Sequence, residues 1–198
     1  MLVFIQKNLA ILSVPKTGTT AYVAALRRRA SVVISSPPGL KHTNLSKFQR
    51  SFLPIFQNAT HRPIETMAVV REPIDWLGSW YRYRQRDQLD GHENSTKGVS
   101  FDEFVMAYLE KERPKFAQVG DMANFVKPAK DHAPITHLFK YDAQESIHAF
   151  LQTRLGFDFD LERRNVSPKA TLSLDPAIKA QLMEKCADQF TLWDRAQG

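Results

Sequence analysis

The chain of 198 residues holds a single cysteine, Cys186, so it can form no intrachain disulfide and no thiolate-based zinc or iron–sulfur site. No apolar run approaches the roughly 20 residues that a membrane-spanning helix needs. Glycine is sparse, at 8 residues, and neither repeats nor low-complexity tracts interrupt the sequence. Acids are outnumbered: 21 Asp and Glu stand against 27 Lys and Arg, giving a formal charge of +6. That balance favours anionic partners (nucleic acid, anionic lipid, or phosphate- and sulfate-bearing small molecules) without choosing among them. With 43% hydrophobic residues, 13 Phe, 5 Tyr and 3 Trp, intrinsic disorder is excluded. A length of this order suits one domain. Met1–Val14 is apolar, but Lys7 lies inside it and Pro15-Lys16 follows in place of a small-residue cleavage site. It does not read as a secretory signal, and a cytoplasmic location is expected.

Leu9–Val14 is short, apolar and without helical spacing, which predicts a buried strand. Pro15-Lys-Thr-Gly-Thr-Thr20 ends it, and a helix is predicted over 21–29 with Thr19 or Thr20 near its N-cap. Further strands are predicted at 31–35, 66–70 and 135–141. Helices are predicted at 45–57 (broken near Pro54), 74–86, 101–112, 143–155 and 175–195. Ser100-Phe-Asp-Glu103 is a capping box, and Gly156 sits where a helix should end. Between Gln85 and Ser100 there is one Leu, one Val and no aromatic residue, so residues 87–99 read as a flexible insertion or a lid. Strand–helix alternation with long crossovers predicts a single α/β domain with a mainly parallel central sheet and helices on both faces. Its ligand should lie at the C-terminal edge of the strands.

The strongest chemical signal follows the first strand. An abrupt turn with Gly18, three threonine hydroxyls and a helix N-terminus together suit an anion, and Lys16 adds a point charge. The order differs from that of a nucleoside triphosphatase, in which a lysine follows the second glycine of the loop. Here Lys16 precedes Gly18, and the strand 66–70 ends in Arg71 rather than in an acid for magnesium.

These residues resemble the sulfotransferases that use 3′-phosphoadenosine 5′-phosphosulfate. Pro15-Lys-Thr-Gly-Thr-Thr20 is similar to that family's 5′-phosphosulfate loop, and Val70-Arg71-Glu-Pro73 with Ser79 to its 3′-phosphate motif. Leu138-Phe-Lys-Tyr-Asp142 resembles the strand before the family's later helix, and Arg164-Asn165-Val-Ser167 resembles an Asn-x-Ser loop near the nucleotide. The glycine-rich, lysine-containing C-terminal loop of the cytosolic animal enzymes is missing. The resemblance implies a phosphate-loop-like α/β fold and a donor bound by Lys16, Thr17, Gly18, Thr19, Thr20, Arg71, Ser79, Asn165 and Ser167. It also implies sulfuryl transfer to an acceptor hydroxyl or amine on a small molecule, glycan or lipid, with no metal and no nucleic-acid partner.

Such transfer needs a cation for the leaving phosphate and a base for the acceptor's proton. Lys16 fits the first role. Among six histidines, His137 falls in a strand, His148 on a helix, His92 in the insertion, and His61 and His132 in loops without neighbouring chemistry. His42 follows the second strand at the sheet edge that also receives Lys16, and in the family a catalytic histidine often lies in this segment. His61, His132 and Glu72 are the alternatives. The interleaved rings and arginines of Trp80–Arg86 are expected to pack on the sheet and to face solvent, respectively, with Arg82 or Arg86 available to an anionic acceptor. Two other classes remain open: an ATP-dependent small-molecule kinase with a degenerate loop, and a non-catalytic basic binding module.

Overall fold

A computed structural model describes residues 1–161 and 172–198. These divide into two compact units. The first takes residues 1–71, 122–161 and 195–198; the second takes residues 72–121 and 172–194. No helix among the described residues is long and apolar enough to cross a membrane.

The first unit is α/β and is built on a mixed sheet. Its strands are β1 (Leu2–Phe4), β2 (Leu9–Ile11), β3 (Val32–Val33), β4 (Glu65–Val70) and β5 (His137–Lys140), in the order β3-β1-β2-β4-β5. β2, β4 and β5 are parallel neighbours, with Ile11 opposite Met67 and Met67 opposite His137. β1 runs antiparallel to both β2 and β3, which makes the sheet mixed where a mainly parallel one is expected. Leu2–Phe4 is not among the strands that the apolar pattern predicts. A tight turn over Ile5–Lys7, closed by Asn8 in the left-handed region (φ 51°), reverses the chain and creates that hairpin.

Side-chain alternation sends the strands' apolar residues to opposite faces. One face buries Leu2, Phe4, Leu9, Ile11, Met67 and Val69 against Tyr22 and Leu26 of α1 (Thr19–Leu26) and Ile147, Leu151 and Leu155 of α8 (Gln144–Leu155). The other buries Met1, Val3, Ala10 and Leu12 against Leu45 and Phe48 of α3 (Leu45–Ser51) and Phe56 of α4 (Leu53–Thr60). α3 and α4 meet at Phe52, and Pro54 falls in the first turn of α4, the place in a helix where a missing N–H costs nothing. Two further short helices are α2 (Pro38–Lys41) and α7 (Met122–Val126). Gly156 ends α8 with φ 76°, as its position implies.

The second unit is helical, with α5 (Pro73–Arg84), α6 (Phe101–Tyr108), α9 (Pro176–Lys185) and α10 (Ala187–Asp194). Tyr81 packs its ring on Phe101 and Phe104, and the capping box of Ser100 and Glu103 opens α6. Arg84 is buried, and its guanidinium donates to the carbonyls of Lys115 (2.6 Å) and Gln118 (2.8 Å). The single last helix expected over 175–195 is instead two, which meet at Cys186. No glycine or proline marks that break in the sequence. Within residues 87–99, Thr96 is fully buried. Its N–H donates to the Arg84 carbonyl (3.1 Å) and its hydroxyl to the Tyr81 carbonyl (2.9 Å). Lys97 pairs with Asp87 (3.0 Å) and Asp90 (3.2 Å).

The Phe48 ring is completely buried between Phe52 and Phe56. Replacing it with alanine should lower unfolding free energy by about 3–5 kcal/mol, read as a reduced urea midpoint at unchanged m-value.

Candidate anion-binding site

Parallel pairing in the order β2-β4-β5 delivers three chain segments side by side at the C-terminal edge of the sheet. They are the loop Pro15–Thr20 after β2, Arg71 after β4 and Tyr141 after β5. The loop has left-handed φ at Lys16 (66°) and at Gly18 (72°), on either side of Thr17. Alternation of this kind turns successive backbone N–H groups toward one concavity. A lysine at such an angle carries backbone strain, a feature that concentrates at functional loops. Gly18 is the N-cap of α1, with Thr19 and Thr20 as its first two residues, and no side chain caps that helix end. The positive end of the helix dipole therefore faces the loop without a side-chain acceptor to neutralise it.

The threonines divide in role. Thr17 is fully buried and its hydroxyl donates to the Val14 carbonyl (2.9 Å), so it braces the turn and its side chain is committed inward. Thr19 is buried and Thr20 exposed. Gly18 is required twice over: its φ is left-handed, and a β-carbon there would stand 2.9 Å from Cε2 of Tyr141.

Arg71 lies beside the loop. Its guanidinium sits over the Tyr141 ring, 4.4 Å from the centroid, and its Nη1 donates to the Lys16 carbonyl (3.4 Å). The structure thus brings Lys16, Gly18, Thr19, Thr20 and Arg71 to one edge of one unit, a loop and an arginine on adjacent parallel strands. Tyr141 joins them. In the sequence it stands out only as part of a strand motif; its position as the first residue past β5 is the available signal.

His42 caps the C-terminus of α2 and is half-buried. Its Nδ1 lies 2.7 Å from the Ser13 carbonyl, which can only accept, so Nδ1 carries the proton and Nε2 the lone pair. Burial pushes its pKa below the ordinary 6.5 against the opposing effect of that hydrogen bond, and Lys41 pushes the same way as burial. Ser13 immediately precedes Val14 and the loop, so this contact ties His42 to the loop's stem.

Other histidines are engaged elsewhere. His137 pairs with Glu65 (2.8 Å), His148 with the Phe159 carbonyl, and His132 with the Lys130 carbonyl. His92 accepts from the Asn94 N–H, and His61 closes α4 with left-handed φ. The Glu72 carboxylate caps α5 by accepting from the Asp75 N–H (2.7 Å). Ser79 lies on α5 in the second unit, half-buried. Asn165 and Ser167 lie outside the described residues.

No protein-family model matches the chain, and no curated protein is similar to it.

Gly18→Ala should destabilise the protein by about 1–3 kcal/mol, because the methyl group meets both an unfavourable backbone angle and the Tyr141 ring. Gly39, where an added methyl group would meet open space and φ is not positive, is the control: Gly39→Ala should leave the denaturation midpoint nearly unchanged.

Proposed function

We propose that this protein is a sulfotransferase of the phosphate-loop-like α/β type, moving a sulfuryl group from 3′-phosphoadenosine 5′-phosphosulfate to an acceptor hydroxyl or amine. The observation that carries the reading is the pairing of a strained loop at an uncapped helix N-terminus with Arg71 on the adjacent strand. A donor with a 5′-phosphosulfate and a separate 3′-phosphate needs two such anion positions. An arginine at the end of β4 suits a phosphate there, by charge-assisted and bidentate bonds.

In this reading the loop's N–H groups and Lys16 bind the 5′ end and Arg71 the 3′-phosphate. Nε2 of His42 takes the acceptor's proton as the acceptor atom bonds to sulfur. The sulfur–oxygen bond to the 5′-phosphate breaks, and the Lys16 ammonium stabilises the charge that appears on that oxygen. A histidine that is neutral at pH 7, with its proton fixed on Nδ1, is a competent base without a preceding deprotonation. The reading includes transfer without a metal and, separately, a cytoplasmic location.

Adenosine 3′,5′-bisphosphate, the donor's product, should raise the melting temperature, with about 2.7 kcal/mol of stabilisation at a hundred times its dissociation constant. AMP should do much less, and Arg71→Ala should erase the difference. Equal stabilisation by both nucleotides in the unaltered protein, or stabilisation only by ATP with magnesium, refutes the assignment.

With labelled donor and a panel of hydroxyl and amine acceptors, His42→Ala should lower turnover by about 100- to 10,000-fold while bisphosphate affinity holds. The acid limb of kcat/KM should fall below pH 6.5, because protonated His42 cannot accept a proton and burial favours its neutral form. A limb at or above that value in the unaltered enzyme, or one that survives in His42→Ala, assigns the base elsewhere.

A further inference from the structure

We propose that Tyr141 is a positioning residue that fixes the Arg71 guanidinium at a set distance from the phosphate loop, and thereby sets the selectivity of this edge for ligands carrying two separated anionic groups. The inference rests on the sulfuryl-donor reading for the identity of the ligand, and on geometry alone for the role of the ring.

Tyr141 touches both halves of the site at once. One edge of its ring faces Gly18, closely enough that a β-carbon there would stand 2.9 Å from Cε2. Its face carries the Arg71 guanidinium, 4.4 Å from the centroid. The ring, which also packs against the apolar cluster of this sheet face, is therefore a rigid spacer between the glycine of the loop and the cation of the next strand.

Its own mounting is stiff. The Tyr141 N–H donates to the Val70 carbonyl (2.7 Å), immediately before Arg71, which continues the β4–β5 ladder one residue past β5. The Tyr141 carbonyl accepts from the Gln144 side-chain amide, whose oxygen in turn accepts from the Tyr22 hydroxyl (2.8 Å) on α1, the helix that the loop opens. Backbone bonds on both sides leave the ring little freedom beyond its own torsions.

An arginine stacked on an aromatic face keeps its in-plane N–H donors directed outward, so the ring orients the fork without consuming it. Without the ring, the side chain loses one of the contacts that hold its rotamer beside the bond to the Lys16 carbonyl, and more of the entropy of fixing it falls on the ligand. A ligand with one anion in the loop loses little by that change. A ligand with two loses the second contact.

The test compares Tyr141→Leu and Tyr141→Phe with the unaltered chain. Calorimetry reads affinities for adenosine 3′,5′-bisphosphate and AMP, and nitrogen-15 NMR follows the Arg71 Nε–H. The phenylalanine variant keeps the ring and should keep the ratio of the two affinities within about twofold, with the Arg71 signal still shifted by the ring current. The leucine variant should lower the bisphosphate affinity about tenfold while that for AMP stays nearly level, and the Arg71 signal should move to its unshifted position. Equal losses for both ligands, or an unchanged ratio in Tyr141→Leu, overturn the proposal. Should the leucine variant not fold, an unshifted Arg71 signal in the unaltered chain and in Tyr141→Phe overturns it as well, and a shifted one upholds it. If the unaltered chain does not distinguish the two nucleotides, the donor reading falls, and the Arg71 signal alone decides whether the ring orients the arginine.

Discussion

Everything at the candidate site depends on the parallel pairing of β2 with β4 and of β4 with β5. Parallel neighbours deliver their C-terminal ends to the same edge, and the hydrogen-bond register fixes how far each following segment reaches. With Ile11 opposite Met67 and Val70 opposite Lys140, the loop after β2, Arg71 and Tyr141 emerge together. A slip of one residue would turn Met67 and Val69 from one core face to the other and send Arg71 to the wrong side of the sheet.

Two independent packing layers hold that register. Each sheet face has its own apolar cluster, with α1 and α8 on one side and α3 and α4 on the other. Alternation along short strands is enough to supply both, since most of these residues are almost fully buried. A further clamp lies at the opposite edge of the sheet, where Glu65 at the start of β4 bonds both His137 of β5 (2.8 Å) and Arg154 of α8 (2.7 Å). These are partly exposed pairs, so they contribute to geometry more than to stability.

His42 is tied to the stem of the loop by different means. No regular strand pairing carries it there; a four-residue helix after β3 and a single bond to the Ser13 carbonyl do. The same bond fixes its tautomer, and the burial that accompanies it keeps the ring neutral. Location and proton placement thus follow from one contact, while burial, acting against that contact, favours the neutral ring.

The local sequence determined the α/β alternation, four of the five strands, the capped start of α6, the break near Pro54 and the glycine end of α8. Each of these is written in a few neighbouring residues, through apolar alternation, a cap, or the fixed φ of proline. It also located the loop with Lys16 and Gly18 between β2 and the start of α1. The hairpin that makes the sheet mixed was hidden, since Leu2–Phe4 is only three residues long and the reversal over Ile5–Asn8 holds no glycine or proline and depends on a left-handed asparagine. The split of the last helix at Cys186 was hidden too, as no breaker marks it. The division into two units and the partners of each histidine were settled by contacts between residues far apart in the chain. Tyr141 shows why such contacts resist reading: its ring meets a glycine 123 positions earlier and an arginine 70 positions earlier, and only the order of strands in the sheet brings the three together.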